Sequence, residues 1–361
     1  MVIAARPPWW TWVWPVLAWI ILLGAPFLGG GGVVAAVAGA VLIGSVFAAV
    51  YHAEVVAHRI GEPYGTLVLA LAVTVIETAL IVSVMIASPP DAPSAIARDT
   101  VYAAVMIVCG GIVGICLLAG GARYREQEFH LHGANAALAV LAALTVLTLI
   151  LPNYVTSGIG PLYSRGQLAF AGLVSLVLYA SFVFVQTVRH RDYFIPSETV
   201  SEDDHLPPPS VRTTLLSAGL LLVSLVAIVG LAKTLTPTVE FAVASLGVPK
   251  SVVGIVIATL VLLPEGLAAV KAALGNRLQT SLNLALGSAL ATIGLTIPAV
   301  AVVSIVMGQP LALGLGPKDQ LLLALTLLLS VITLATGRIT VLQGIVHLVV
   351  FAIFLFFAVV P

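Results

Sequence analysis

Two glutamates lie inside apolar runs where a charge is expensive: Glu77 in "LAVTVIETALIVSV" and Glu265 in "VLLPEGLAAVKAAL". Insertion scales charge roughly 2.5–3.5 kcal/mol for an ionised residue at the centre of a membrane helix. Each acid therefore needs a proton, a cation or a buried partner. Pro264 precedes Glu265. Proline has no N–H and its ring clashes with the carbonyl four residues back, so the Leu260 carbonyl is freed as a hard oxygen beside a carboxylate. Thr74 stands one helical turn before Glu77 and Thr66 three turns before it, on the carboxylate's face. In "TSLNLALGSALATIGLTIP", Ser281, Ser288 and Thr292 share a face, with Asn283, Gly287 and Gly294 beside them. Calcium takes six to eight oxygens at about 2.3–2.6 Å, and two carboxylates neutralise its charge. The candidate cation and proton ligands are thus Glu77, Glu265, Thr74, Ser288, Asn283, Thr292 and the Leu260 carbonyl. Competing uses stay open: an interhelical hydrogen bond for a protonated glutamate, an ordinary kink for the proline, and helix packing for the hydroxyl and small residues.

A second polar group, His52, Glu54, His58 and Glu62, lies at the inner end of the second apolar run and in the loop after it, and Glu240 matches Glu54 in the other half. Histidine titrates near neutrality, so this group suits a proton path or a gate. Polar residues where a helix leaves the bilayer would look the same. The acidic "SEDDH" of 201–205 reads as solvated linker rather than as a regulatory cation site. Cys109 and Cys116 are seven residues apart on one helix face, about two turns, too far to bridge. They read as small core residues, and Gly110-x-x-x-Gly114 as packing. No Cys/His cluster offers a soft-metal site, and no P-loop implies ATP drive. No Ser/His, paired-Asp or HExxH set lies inside the apolar runs to make an intramembrane hydrolase. Neither enzyme chemistry nor a cofactor is expected. A channel stays open as a rival and is separated by its far higher currents.

The elements that must carry these residues follow from composition. Of 361 residues 60% are hydrophobic and 8% charged, against about 25% charged in soluble domains. Basic and acidic residues both number 15, so no charge excess points to nucleic acid. About 20 apolar residues cross the hydrocarbon. Runs of that kind predict an all-α polytopic membrane protein with about eleven transmembrane helices, at 11–29, 33–52, 64–88, 100–121, 133–152, 167–188, 213–234, 251–274, 281–307, 319–336 and 339–360. The N-terminal run has interfacial tryptophans and no clear cleavage site, so it reads as a retained helix. With the N-terminus inside, ten Lys/Arg face the cytoplasm and five the outside. The positive-inside rule then predicts N-in, C-out.

The polar segment "VRHRDYFIPSETVSEDDHLPPPSVRT" divides the spans after the first into five and five. "EVVAHRIGEPYG" and "EFAVASLGVPKS" share Glu54/Glu240, Gly61/Gly247 and Pro63/Pro249 at identical offsets, and Glu77 and Glu265 follow the prolines by 14 and 16 residues. The expected organisation is an N-terminal helix (1–30), a first five-helix repeat (31–188), a cytoplasmic acidic linker (189–212) and a second five-helix repeat (213–361). An odd number of spans per repeat inverts the second relative to the first. Inverted repeats place a substrate site near the midplane at the repeat interface.

At "GEPYGTLVLALAVTVIETALI", "ARDTVYAAVMIVCGGIVGICLLAGG" and "PEGLAAVKAALGNRLQTSLNLALGSALATIGLTIPA" the sequence resembles the calcium/cation antiporter superfamily, and within it the bacterial calcium/proton antiporters of ChaA type. The resemblance implies one extra helix plus two inverted five-helix repeats in a bacterial inner membrane. It also implies exchange of cytoplasmic Ca²⁺, or of Na⁺ or K⁺, for protons. It maps the family's two signature acids onto Glu77 and Glu265 and its hydroxyl-rich helix onto Ser288 and its neighbours. The sequence departs from many members in having Thr74 and Leu262 where an Asn precedes each acid, and Cys109, Gly110 and Gly111 where a polar residue is usual. The expected partners are the transported cations, protons and the lipid bilayer, with a homo-oligomer left open.

Overall fold

The protein is described by a computed structural model covering residues 7–28, 32–61, 64–87, 93–155, 160–195 and 208–360. Eleven long helices run through these residues: α1 Trp10–Leu28, α2 Gly32–Ile60, α3 Tyr64–Ala87, α4 Ile96–Tyr124, α5 Leu131–Asn153, α6 Arg165–Arg189, α7 Val211–Ser245, α8 Ser251–Leu274, α9 Leu278–Met307, α10 Pro317–Leu334 and α11 Val341–Val359. Ten of them, α2 to α11, are long and apolar enough to cross a membrane. The all-α polytopic architecture expected from the sequence is the one found.

Several helices outrun their apolar cores. The second continues past residue 52 through Glu54 and His58 to Ile60, so these side chains ride on α2 rather than in a loop. The seventh continues past 234 through Pro237 and Glu240 to Ser245. Hydropathy ends a span where charge begins, whereas backbone hydrogen bonding continues a helix until a residue leaves helical geometry. Glycine supplies that exit in both cases, since Gly61 and Gly247 take φ values of 76° and 67°, which cost little without a Cβ. The two glycines that match in sequence therefore match in backbone conformation. Two two-residue strands not foreseen from sequence, β1 (Gln127–Glu128) and β2 (Arg338–Ile339), pair antiparallel, and Arg338 Nη2 meets Glu128 Oε1 at 2.8 Å.

The helices sort into two compact units. The first holds Met1–Ala87 with Thr199–Gly247, and the second holds Ser88–Glu198 with Val248–Pro361, so each draws on both halves of the sequence. In the first unit α2 lies along α7, with α1 and α3 against the same pair. Trp19 Nε1 of α1 donates to the Val223 carbonyl of α7 at 3.2 Å, and Gly230 leaves room for Leu22.

In the second unit α4 is the central helix, packed along α8 and α11. It widens into a π-turn at Ile107–Ile112, every residue of which is buried. Helix α9 carries a π-turn of its own at Thr292–Thr296. Close helix contacts pass through glycines: a Cβ at Gly254 would lie 2.7 Å from the backbone of Asp99.

Candidate functional site

Glu265 sits midway along α8, which runs unbroken through Pro264. The Leu260 carbonyl has no N–H at Pro264 to accept from, as its chemistry dictates. Helix α9 packs against α8 and brings Ser288, nearly three turns into that helix, opposite the acid. The Ser288 hydroxyl donates to Glu265 Oε2. Ser288 is buried and Glu265 half-buried. Such a bond is about twice as strong to an ionised carboxylate as to a neutral one.

Thr292, one turn beyond Ser288, is buried and opens the π-turn of α9. Gly294 within that turn has no side chain, and an added Cβ would sit 2.5 Å from Tyr179 Cβ. The buried Tyr179 of α6 is thereby admitted against the π-turn of α9. Nothing in the α6 sequence distinguishes this tyrosine from any other aromatic residue near lipid, so sequence reasoning missed it.

Asn283 has a different set of contacts. Its amide nitrogen donates to the Phe194 carbonyl at 2.6 Å, and its Oδ1 accepts from Gln279 Nε2 at 2.9 Å. Gln279 Oε1 in turn accepts from the His130 N–H at 2.6 Å. This chain clasps the segment just after α6 onto α9. Sequence spacing put Asn283 beside the hydroxyl face without showing what its amide would meet.

In the first unit Glu77 lies on α3 and is 2% exposed. Thr74, one turn earlier, is buried, and its hydroxyl donates to the Ala70 carbonyl of its own helix at 2.8 Å. His52 is fully buried, with Nε2 3.1 Å from the Thr11 carbonyl of α1. Glu54 and His58 are half-buried on α2, and Glu240 is exposed on α7. Glu62, the side chain of Thr66 and the 201–205 acidic cluster lie outside the described residues.

Among the described residues no three His, Cys, Asp or Glu side chains converge as a metal site. Besides carboxylates, the hydroxyl of Ser288 beside Glu265 is of the hard-oxygen type that alkali and alkaline-earth ions accept.

A family model described as sodium/calcium exchanger protein matches residues 31–188 and 216–360. The chain belongs to this exchanger family. As an exchanger it is a multi-pass cation antiporter and not an enzyme. It is 50% identical over 365 residues to the "putative ionic transporter y4hA" of Sinorhizobium fredii, covering 99% of this chain and 98% of that one. It is 37% identical over 353 residues to the "sodium-potassium/proton antiporter ChaA" of Escherichia coli, covering 95% and 94%. The solved structure of native YfkE superposes with a TM-score of 0.72 over 97% of this chain and 100% of that one, at 16% identity. At that identity the likeness concerns the exchanger fold alone.

Proposed function

We propose that this exchanger moves Ca²⁺ out of the cytoplasm against protons by alternating access, with Glu77 and Glu265, one acid from each sequence repeat, carrying either the cation or protons. The observation that carries this reading is the Glu265 carboxylate inside a membrane helix, hydrogen-bonded by Ser288 from the neighbouring helix. A charge so costly in lipid is retained where it binds something that crosses. The two stretches matched by the family model support the two-repeat organisation. Thr292 and the Leu260 carbonyl supply further hard oxygens on α9 and α8, and Thr74 supplies one on α3. His52, Glu54, His58 and Glu240 belong to the proton path or gate in this reading. The ten-to-five distribution of basic residues supports a cytoplasmic N-terminus.

A second reading has one specific observation in its favour: the 37% identical relative is named for sodium-potassium/proton antiport. In that reading the same acids exchange Na⁺ or K⁺ for protons. Everted membrane vesicles with an imposed pH gradient separate the two. Dissipation on adding Ca²⁺ supports the first reading, and dissipation by Na⁺ or K⁺ with none by Ca²⁺ supports the second. No response to any of the three would overturn both.

A further inference from the structure

Resting on the reading of Glu265 as an exchanging acid, we propose that His347 is a positioning residue for it, acting through the π-turn of α4. His347 lies on α11 and is 1% exposed. Both ring nitrogens are engaged: Nδ1 is 2.7 Å from the Cys109 carbonyl, and Nε2 is 3.1 Å from Thr333 Oγ1 of α10. A carbonyl only accepts, so Nδ1 carries the proton, and Nε2 of the neutral ring accepts from the Thr333 hydroxyl. The ring is thus a fixed strut between α10 and α4.

Cys109 stands in the π-turn Ile107–Ile112. Single π-turns inside α-helices are rare and gather at functional sites. The turn is fitted to its neighbours on two sides. Toward α11, Cβ atoms at Gly110 and Gly111 would each lie 3.1 Å from Phe351. Toward α8, Ile112 lies against the residue that follows the acid, since a Cβ at Gly266 would sit 3.0 Å from Ile112 Cδ1. If the turn relaxed to α-helix, one residue would slip and the helix beyond would rotate by about 100°. Ile112 would then leave the backbone at Gly266. The His347 bond to the Cys109 carbonyl opposes that slip and so holds Glu265 at its station opposite Ser288.

The test is exchange kinetics in vesicles, using whichever of Ca²⁺, Na⁺ and K⁺ drives proton movement in the wild-type chain. His347→Leu removes the donor to Cys109 and is expected to raise the apparent KM for the cation about tenfold at unchanged turnover per folded transporter. His347→Asn places an amide N–H where Nδ1 stood and should return KM to within about threefold of wild type. A merely structural histidine would lower the amount of folded protein, and with it the maximal rate, at constant KM. That result, or an Asn variant no better than Leu, would overturn the assignment. Should the Leu variant fail to insert, Thr333→Val, which deletes only the Nε2 partner, carries the test. An apparent KM raised about threefold supports the strut, and a wild-type KM overturns it. Absence of exchange in the wild-type chain itself would remove the antiporter reading and this inference together, whereas an active wild type with unmoved variants removes this inference alone.

Discussion

Glu77 and Glu265 follow the matched prolines of the two sequence halves at similar distances, but their surroundings differ. Glu265 follows a proline, is half-buried, and takes a hydroxyl donor from another helix. Glu77 is almost wholly buried, and the hydroxyl one turn away on its own helix is committed to a backbone carbonyl of that helix. On the proposed reading the acids carry the exchanged charge, and a donor such as Ser288 adjusts how strongly Glu265 holds its ion.

The largest expected effect tests the part the two regions share. Glu77→Gln and Glu265→Gln each keep the side chain's shape but cannot carry the exchanged charge, so each should reduce exchange by at least about 100-fold with the protein still in the membrane. Near wild-type exchange by either variant would remove that residue from the pair.

Next is pH. On the proposed reading protons and cation compete for the same carboxylates, since protonation removes the charge the cation needs. Apparent KM for the cation should therefore rise as pH falls from about 9 to about 6, by more than tenfold. If both acids take part, the rise should be steeper than a single titrating group allows, because interacting carboxylates titrate as a unit. A flat profile would mean that protons and cation do not share these groups.

The smaller effects separate the two regions. Ser288→Ala removes a donor to a charged acceptor, worth roughly 1.5–3 kcal/mol, and should raise the cation KM about tenfold. Thr74→Val removes a hydroxyl already bonded within its own helix and should change KM less than about twofold. Equal effects from the two would erase the distinction drawn between the sites. Cysteine labelling at an engineered site near Ser201 tests the orientation: protection from impermeant reagent in intact cells is expected, and labelling from outside would reverse the N-in assignment.

The sequence by itself determined the membrane class and the number of long helices, and it marked two acids within apolar runs. These depend on local quantities: apolar runs long enough to span, the cost of a carboxylate within them, and matched Glu, Gly and Pro offsets. The matched Gly61 and Gly247 were legible for the same reason, because glycine is the residue that leaves a helix through positive φ at least cost. Only the tertiary structure decided which side chains surround each acid. Hydropathy ended α2 and α7 too early because it reads charge, not backbone hydrogen bonds. The pairing of Ser288 with Glu265, the approach of Tyr179 through Gly294, and the reach of His347 to Cys109 join residues 23, 115 and 238 positions apart. Such contacts depend on how helices cross and on where a glycine lets two of them approach, and neither leaves a periodic trace in the chain.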